Sequence, residues 1–378
     1  MRNTTEKAQK KSITMVESCY GPMLLLFALT SCSGVDDDTL DTSPESESTT
    51  DSSQSSDHPN DTASDPTYSV DKDVLDAYLA GGFVPIDAGT FVFGSPETEQ
   101  CRGEDTEKQV TVTLTVDYEM AVTEVTQEMW QAAGFSNPSY PEQASDLPVT
   151  YVSWWDAFEF CNRLSEYAGL ETCYDLSSCN GVPGKGCLDT MDTERQMCPR
   201  EDKGLVCSAP TRKFERMMDC PGYRLPTSAE WEYAVRAGTT TATYNGDTLN
   251  VLGDCQEFPT LEPIEWYCYN SRNENAIREA QRVAQKQPNP WGLYDTLGNV
   301  SEWVDHVYTS WYLESDEGKN GPLSDPMGVP EYKEYELRGA RGGNFLQAGC
   351  WLRSAFQIGY DPWFRVLYIG LRPVRSLL

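Results

Sequence analysis

The sequence predicts an α+β domain with little regular secondary structure, on three observations. Three segments open with helix caps, and the second of them repeats apolar residues at helical spacing. Two segments ahead of them gather β-branched and aromatic residues around turn or threonine positions. Past Gly238 the chain is rich in Gly, Pro, Asn and Trp, with room only for short strands and loops. The 378 residues suffice for one large domain or two ordinary ones. No internal repeat or linker divides the part that starts near Val70.

In chain order, Val84–Gly94 reads as the entry to a hairpin, with its turn at Asp87-Ala88-Gly89. Between Gln109 and Tyr118, Val110, Val112, Leu114 and Val116 alternate with threonines, the pattern of a half-buried strand. Thr126 caps a short helix. Ser153 stands three residues before Asp156 in a capping box. Ala157, Cys161, Leu164 and Ala168 then repeat at four-three-four spacing, and Gly169 stops that helix. Pro226, Thr227 and Glu230 open a third helix that Gly238 ends. Each cap is worth about 1 kcal/mol.

The first residues follow another logic. Lys7, Lys10 and Lys11 precede the apolar run 23–29, and then Leu29-Thr30-Ser31-Cys32. A basic start, a short apolar core and small residues read as a secretory signal. The run is far short of the ~20 residues that span a bilayer. Leu-Thr-Ser-Cys resembles a bacterial lipobox, which implies a signal peptide over residues 1–31 and lipidation at Cys32. A plain signal cut nearby, or a start at Met15, remains open at this point. Residues 35–66 hold ten acidic residues, thirteen Ser or Thr and no Lys or Arg. Too little apolar surface is present to offset chain entropy, so residues 32–67 are expected to form an acidic tether and residues 68–378 the domain.

The formal net charge is −30. Such a surface repels phosphate, which excludes nucleic acid as a partner and disfavours anionic lipid headgroups. The expected partners are the membrane, through the lipid, and a protein or carbohydrate ligand of a monomer at the bacterial cell envelope, with the outer membrane as the expected anchor site.

Thirteen cysteines in an exported chain point to disulfides. Setting aside Cys19 and Cys32 leaves eleven. Cys173, Cys179, Cys187, Cys198, Cys207 and Cys220 fall between the second and third helices, in a Cys-rich insertion over 173–220. Six cysteines allow fifteen pairings. Cys173 with Cys220 is favoured because each lies close to a helix end, and Cys255 with Cys268 forms a separate loop. No Cys-x-x-Cys occurs and the histidines are His58 and His306 alone, which argues against zinc, a two-histidine iron site and histidine-dependent hydrolases. His306 is expected on the surface or in a loop.

One stretch organises the rest: Gly292-Leu-Tyr-Asp-Thr-Leu-Gly-Asn-Val-Ser-Glu-Trp303. Asp295 and Glu302 are hard oxygen donors seven positions apart, and Gly298-Asn299 forces a turn that can aim main-chain carbonyls at one point. Calcium takes six to eight oxygens in irregular geometry. An Asx-type turn followed by a glutamate satisfied by backbone amides accounts for the same spacing. Val152-Ser-Trp-Trp-Asp-Ala157, Tyr223-Arg-Leu-Pro-Thr-Ser-Ala-Glu-Trp-Glu232, Arg341-Gly-Gly-Asn-Phe345 and Gly370-Leu-Arg372 accompany it in order. Together these motifs resemble the formylglycine-generating enzyme (sulfatase-modifying factor) family over residues 82–376.

The resemblance implies an irregular, C-type-lectin-related fold, with structural calcium held by the Asp295 and Glu302 side chains and the Gly298 and Val300 carbonyls. A second calcium site would lie near Asn270-Ser271, where the following residues do not align. The family's C-terminal segment packs back on the domain, which suggests a Cys161–Cys350 bridge. Catalytic members oxidise a substrate cysteine to formylglycine with copper held by two thiolates, five residues apart after the diglycine. Soft sulfur suits Cu(I). Here those positions are Gln347 and Leu352, so copper is not expected, and Cys350 is the lone catalytic candidate. Two readings follow. One is a non-catalytic binding or scaffold lipoprotein, with Tyr360, Trp363, Phe364 and Tyr368 as a recognition surface or as core. The other is an oxidase with an altered site around Cys350.

Overall fold

The computed structural model describes residues 69–104, 106–141, 143–185, 204–208, 211–247, 255–308, 322–327 and 336–378. The leader, Cys32, the tether, Cys187 and Cys198 lie outside them.

In chain order the elements are α1 (Lys72–Gly81), β1 (Phe83–Ile86), β2 (Gly89–Phe93), β3 (Val110–Leu114), β4 (Tyr118–Ala121), α2 (Gln127–Ala132) and α3 (Trp154–Tyr167). There follow β5 (Tyr174–Asp175), β6 (Cys179–Asn180), β7 (Val206–Cys207), β8 (Thr211–Arg212), β9 (Tyr223–Arg224) and α4 (Ser228–Arg236). The last are β10 (Ser301–Val307), β11 (Leu323–Ser324), β12 (Arg338–Arg341), β13 (Gln357–Tyr360), β14 (Ile369–Leu371) and β15 (Val374–Ser376).

The three predicted helices form on their caps. Thr126, Ser153 and Thr227 each accept from the third helical N–H, and a third-position side chain returns the bond in every case. Helix α1 has no counterpart in the sequence reading. Asp71 caps it by accepting from the Asp73 and Val74 amides, and Leu75 and Tyr78 anchor its buried side.

The expected hairpin at Asp87-Ala88-Gly89 does not form. Both flanking strands exist, but β1 pairs antiparallel with β4 while β2 pairs with β3. The turn is a crossing between sheets, in which the Ala88 amide donates to Asp117 Oδ1. Local patterning marks strands; which edge each strand meets depends on the rest of the chain.

One four-stranded sheet runs β1-β4-β15-β9, bringing the two ends of the domain together. A second runs β13-β12-β10-β14, with β10 antiparallel to β12 and parallel to β14. Every residue of β10 is buried, although its sequence is Ser-Glu-Trp-Val-Asp-His-Val. A strand buried on both faces usually reads as an apolar run. Here its charges are paired instead: Glu302 with Arg372, Asp305 with Arg212. His306, expected at the surface or in a loop, is buried on this strand.

Among the hydrophobic clusters of the described residues, two pack against helices α3 and α4. One centres on Trp130, Trp155, Phe160, Leu164 and Trp303 around α3; the other packs Phe93, Val112, Leu114 and Leu293 against α4. Long irregular segments leave carbonyls with no ladder partner, and each must find a donor. Buried arginines supply many of them. Arg341 reaches the Ser354 and Ala355 carbonyls, Arg353 those of Cys101 and Cys350, and Arg372 those of Ala121 and Tyr294. Each guanidinium is also held by a carboxylate, which keeps its charge compensated in a dry interior.

The disulfides staple the loops. Cys173 joins Cys220, Cys179 joins Cys207 and Cys255 joins Cys268. The expected Cys161–Cys350 bridge does not form. Cys350 is bonded to Cys101, at a Cα separation of 5.5 Å. Cys161 faces the interior from α3 and is free, and burial pushes its thiol well above the usual range. Its helix packs it among apolar side chains, whereas the 94–107 segment is drawn to Cys350 by Arg353.

Candidate functional site

The loop 289–302 is fixed from both ends. Asn289 donates to the Ala234 and Val235 carbonyls at the end of α4 and accepts from the Trp291 and Leu293 amides. Asp295 and Asn299 both adopt positive φ, 53° and 52°, a conformation that Asp and Asn tolerate best among non-glycine residues. Asn299 clamps Gln281 by accepting from its amide and donating to its carbonyl. A Cβ on Gly298 would lie 2.4 Å from the Trp266 carbonyl oxygen, so only glycine lets these two backbones meet.

The two predicted carboxylates are brought to one buried place but have different surroundings. Glu302 is saturated. Its Oε1 accepts from Arg372 Nε at 2.9 Å and Nη2 at 2.7 Å, and its Oε2 from Trp231 Nε1 at 2.6 Å. Asp295 Oδ2 accepts from the Ala284 amide at 2.6 Å, while its Oδ1 is buried with no donor. Burial pushes the Asp295 carboxyl up to about 6, against the Ala284 bond and Arg372, which pull it down. An orphaned carboxylate oxygen beside a loop of main-chain oxygens fits a hard cation; a glutamate already held by a guanidinium does not add to that fit. No three described His, Cys, Asp or Glu side chains converge closely enough to hold an ion by themselves. Any ion here needs carbonyls as well.

Glu124 and Glu265 carry no motif that marks them as site residues. Both are buried, and burial together with the Asp295 charge drives both carboxyls well above their usual range. Their local signal is slight: Glu124 stands two residues before the cap Thr126, where its spacing marks a helix start alone.

The diglycine segment lies against the same loop. Ser301 Oγ donates to the Gly343 carbonyl at 3.0 Å, and the Phe345 amide donates to the Asn299 carbonyl at 2.8 Å. Gly342 and Gly343 have φ of 89° and 72°. Leu352 is a core residue, packed with Phe258, Leu261, Ile264 and Tyr267. Gln347 is half-buried; its main chain holds the Cys268 amide and its Oε1 has no partner. Cys350, the catalytic candidate, is in a disulfide and offers no thiolate. Tyr360, Phe364 and Tyr368 are half-buried against the α3 core, with Tyr360 and Phe364 stacked at 4.9 Å, so packing occupies much of their area.

Two polar clefts share Gln143 and Ala144. One, of about 440 Å³, is lined by Asp71, Gln127, Gln131 and Asn137; the other, of about 510 Å³, by Trp266, Glu279, Gln281 and Gln285.

The whole domain, from 76 to 377, matches the family described as "Sulfatase-modifying factor enzyme 1-like domain". The chain belongs to the sulfatase-modifying factor family. Within it, the chain is 28% identical over 283 residues to "Chaperone protein LppX" of Paenibacillus barcinonensis, covering 70% of this chain and 82% of that protein. It is 33% identical over 136 residues to the formylglycine-generating enzyme of Streptomyces coelicolor, a match covering 33% of this chain and 37% of that enzyme. Among solved structures, "Treponema denticola variable protein 1" superposes with a TM-score of 0.55 at 25% identity, over 78% of this chain and 94% of that one. The sulfatase-modifying factor fold therefore extends over the described domain, with its irregular, mixed helix and sheet character.

Proposed function

We propose that this member of the sulfatase-modifying factor family is an exported, lipid-anchored binding module of the cell envelope that lacks the family's oxidase chemistry. One observation carries the reading: among the described residues, no pair of thiolates is available at the diglycine segment. Gln347 and Leu352 stand where the resemblance places the two sulfur donors, and the neighbouring Cys350 is bridged to Cys101. An amide and an alkyl side chain cannot replace two soft ligands for Cu(I). Chemistry through Cys350 would first require that bridge to be opened.

Binding is supported by the two clefts about Gln143. Their amide side chains offer neutral donors and acceptors beside Asp71 and Glu128 in one cleft and Glu279 and Arg282 in the other, a polar lining suited to a carbohydrate or protein ligand. The scaffold reading includes one structural calcium at the Asp295 loop. Asp295 and the Gly298 and Val300 carbonyls would hold it, and it would supply charge compensation and loop order.

Co-expression with a sulfatase bearing its modification motif, with intact-mass analysis of both proteins before and after alkylation, tests the function. The sulfatase should keep its cysteine, and this chain should alkylate at buried Cys161 only after unfolding. Aldehyde-bearing sulfatase made by the purified chain would overturn the proposal.

A further inference from the structure

The 271–279 stretch turns back on itself as a short ribbon. The Asn273 amide donates to the Ile277 carbonyl and the Glu279 amide to the Ser271 carbonyl. Asn273 also fixes the turn, its Oδ1 accepting from the Asn275 and Ile277 amides at 2.9 and 3.0 Å. The base of the ribbon is tied to the diglycine segment. The Cys268 amide donates to the Gln347 carbonyl, and Ser271 Oγ donates to the Phe345 carbonyl. The Cys255–Cys268 disulfide braces the same base.

Across this ribbon Arg272 stands directly opposite Arg278. Residues paired across an antiparallel bridge project from one face, with Cβ atoms about 5 Å apart. Arg278 is half-buried and pinned, its Nε donating to the Cys268 carbonyl at 2.7 Å and its Nη2 to Cys255 Sγ at 3.4 Å. Arg272 is exposed. Among the described residues neither guanidinium has a carboxylate within ion-pair distance. Nearby carboxylates are engaged elsewhere: Glu279 Oε2 accepts from Asn273 Nδ2 at 2.8 Å, and Glu257 Oε2 from the Tyr269 hydroxyl at 3.4 Å.

Like charges directly opposite one another destabilise a ribbon. Burial first, and then the Arg272 charge, pull the Arg278 guanidinium below its usual range. Arg341, Arg353 and Arg372, by contrast, each face a carboxylate.

We propose that Arg272 and Arg278 form a clamp for one doubly charged tetrahedral oxyanion, phosphate or sulfate, taken as the free ion or as a phosphate monoester on a larger ligand. Two guanidinium groups match its charge, and each offers a planar fork that grips such oxygens in pairs. The net charge of −30 repels a polyanion laid across the surface. It acts weakly on a single anion held between two arginines, because exposed charges beyond about 8 Å are largely screened at physiological ionic strength. The clamp is independent of the calcium, copper and cleft readings.

The test is calorimetric titration of the full chain with inorganic phosphate, inorganic sulfate, phenyl phosphate and acetate. Wild type is compared with Arg272→Gln, Arg278→Gln and the control Arg163→Gln, whose arginine already pairs with Glu159. Wild type should bind phosphate and sulfate at one saturable site, and acetate at least about tenfold more weakly. Arg272→Gln should weaken phosphate at least about tenfold, while Arg163→Gln leaves it unchanged. Without phosphate or sulfate, at low ionic strength, Arg272→Gln should melt at or above wild type, and added phosphate should raise the midpoint of wild type alone. Arg278→Gln also loses the bond to the Cys268 carbonyl, so if it fails to fold, Arg272→Gln decides. Phenyl phosphate binding as tightly as phosphate supports the clamp with the group carried on a ligand; tighter binding of phosphate supports it with the free ion. No saturable phosphate or sulfate binding, equal binding of acetate, or undiminished phosphate affinity in Arg272→Gln overturns the inference. So does an equal sulfate-induced rise in melting temperature in wild type and Arg272→Gln, which is the general effect of an excluded salt.

Discussion

Replacing Arg372 by Met tests whether ion pairs organise this domain. Arg372 donates to Glu302 Oε1 twice, and to the carbonyls of Ala121 at 3.0 Å and Tyr294 at 2.8 Å. Methionine fills part of the volume and satisfies none of them. Breaking a buried pair by removing one partner costs about 3–5 kcal/mol, because the other charge stays behind. The two carbonyls add to the desolvation penalty, so about 4 kcal/mol is a conservative figure. Unfolding entropy near the midpoint is roughly 2.1 cal/mol/K per residue, or ~0.6 kcal/mol/K over a domain of about 300 residues. The melting temperature of Arg372→Met should fall by about 6 °C, read by calorimetry in chelator. The double variant Arg372→Met with Glu302→Gln should lose less than the sum of the single losses. A drop under about 2 °C, or strict additivity, would refute the idea that the pair is interdependent.

Three other outcomes are expected. Glu107 is held below the usual carboxylate range; burial pushes it up, but Arg353 and Ser95 outweigh that push. Stability from this group is therefore present above the unfolded value of 4.5 and lost as pH falls through the lower folded value. The melting-temperature gap between wild type and Glu107→Gln should be full near neutrality and narrow below about pH 4.5. Gly298→Ala should cost about 2 kcal/mol or more in urea unfolding, since its Cβ meets a main-chain oxygen that cannot swing away; a neutral result would contradict the close approach to Trp266. Removing the Cys101–Cys350 bridge by a double Ala substitution should cost roughly 2–4 kcal/mol for a bond spanning 249 residues. Copper titration of that variant should show no tight site.

Most of the local structure was legible. The capping residues Thr126, Ser153 and Thr227 mark their helices because a cap and its return bond span three residues. Val110, Val112 and Leu114 face the interior as their alternation predicts. Cys173 and Cys220 close the insertion, as their positions near helix ends suggest. Helix α1 was missed because its weak apolar periodicity depends on packing against neighbours to be stable.

By itself the sequence determined the family, through several motifs in a fixed order, and the identity of the residues at 347 and 352, which no folding can change. Tertiary structure decided who meets whom. It gave Glu302 to Arg372, 70 residues away, gave Cys350 to Cys101 in place of Cys161, and separated β1 and β2 into different sheets. It also buried Glu124 completely, and burial, with the Asp295 charge, pushes its carboxyl well up, which no spacing announces. The reason is one of range. Backbone sterics and capping act over a few residues and are written in local order, whereas the partner of a buried charge, thiol or strand edge is whichever group close packing brings within about 3 Å.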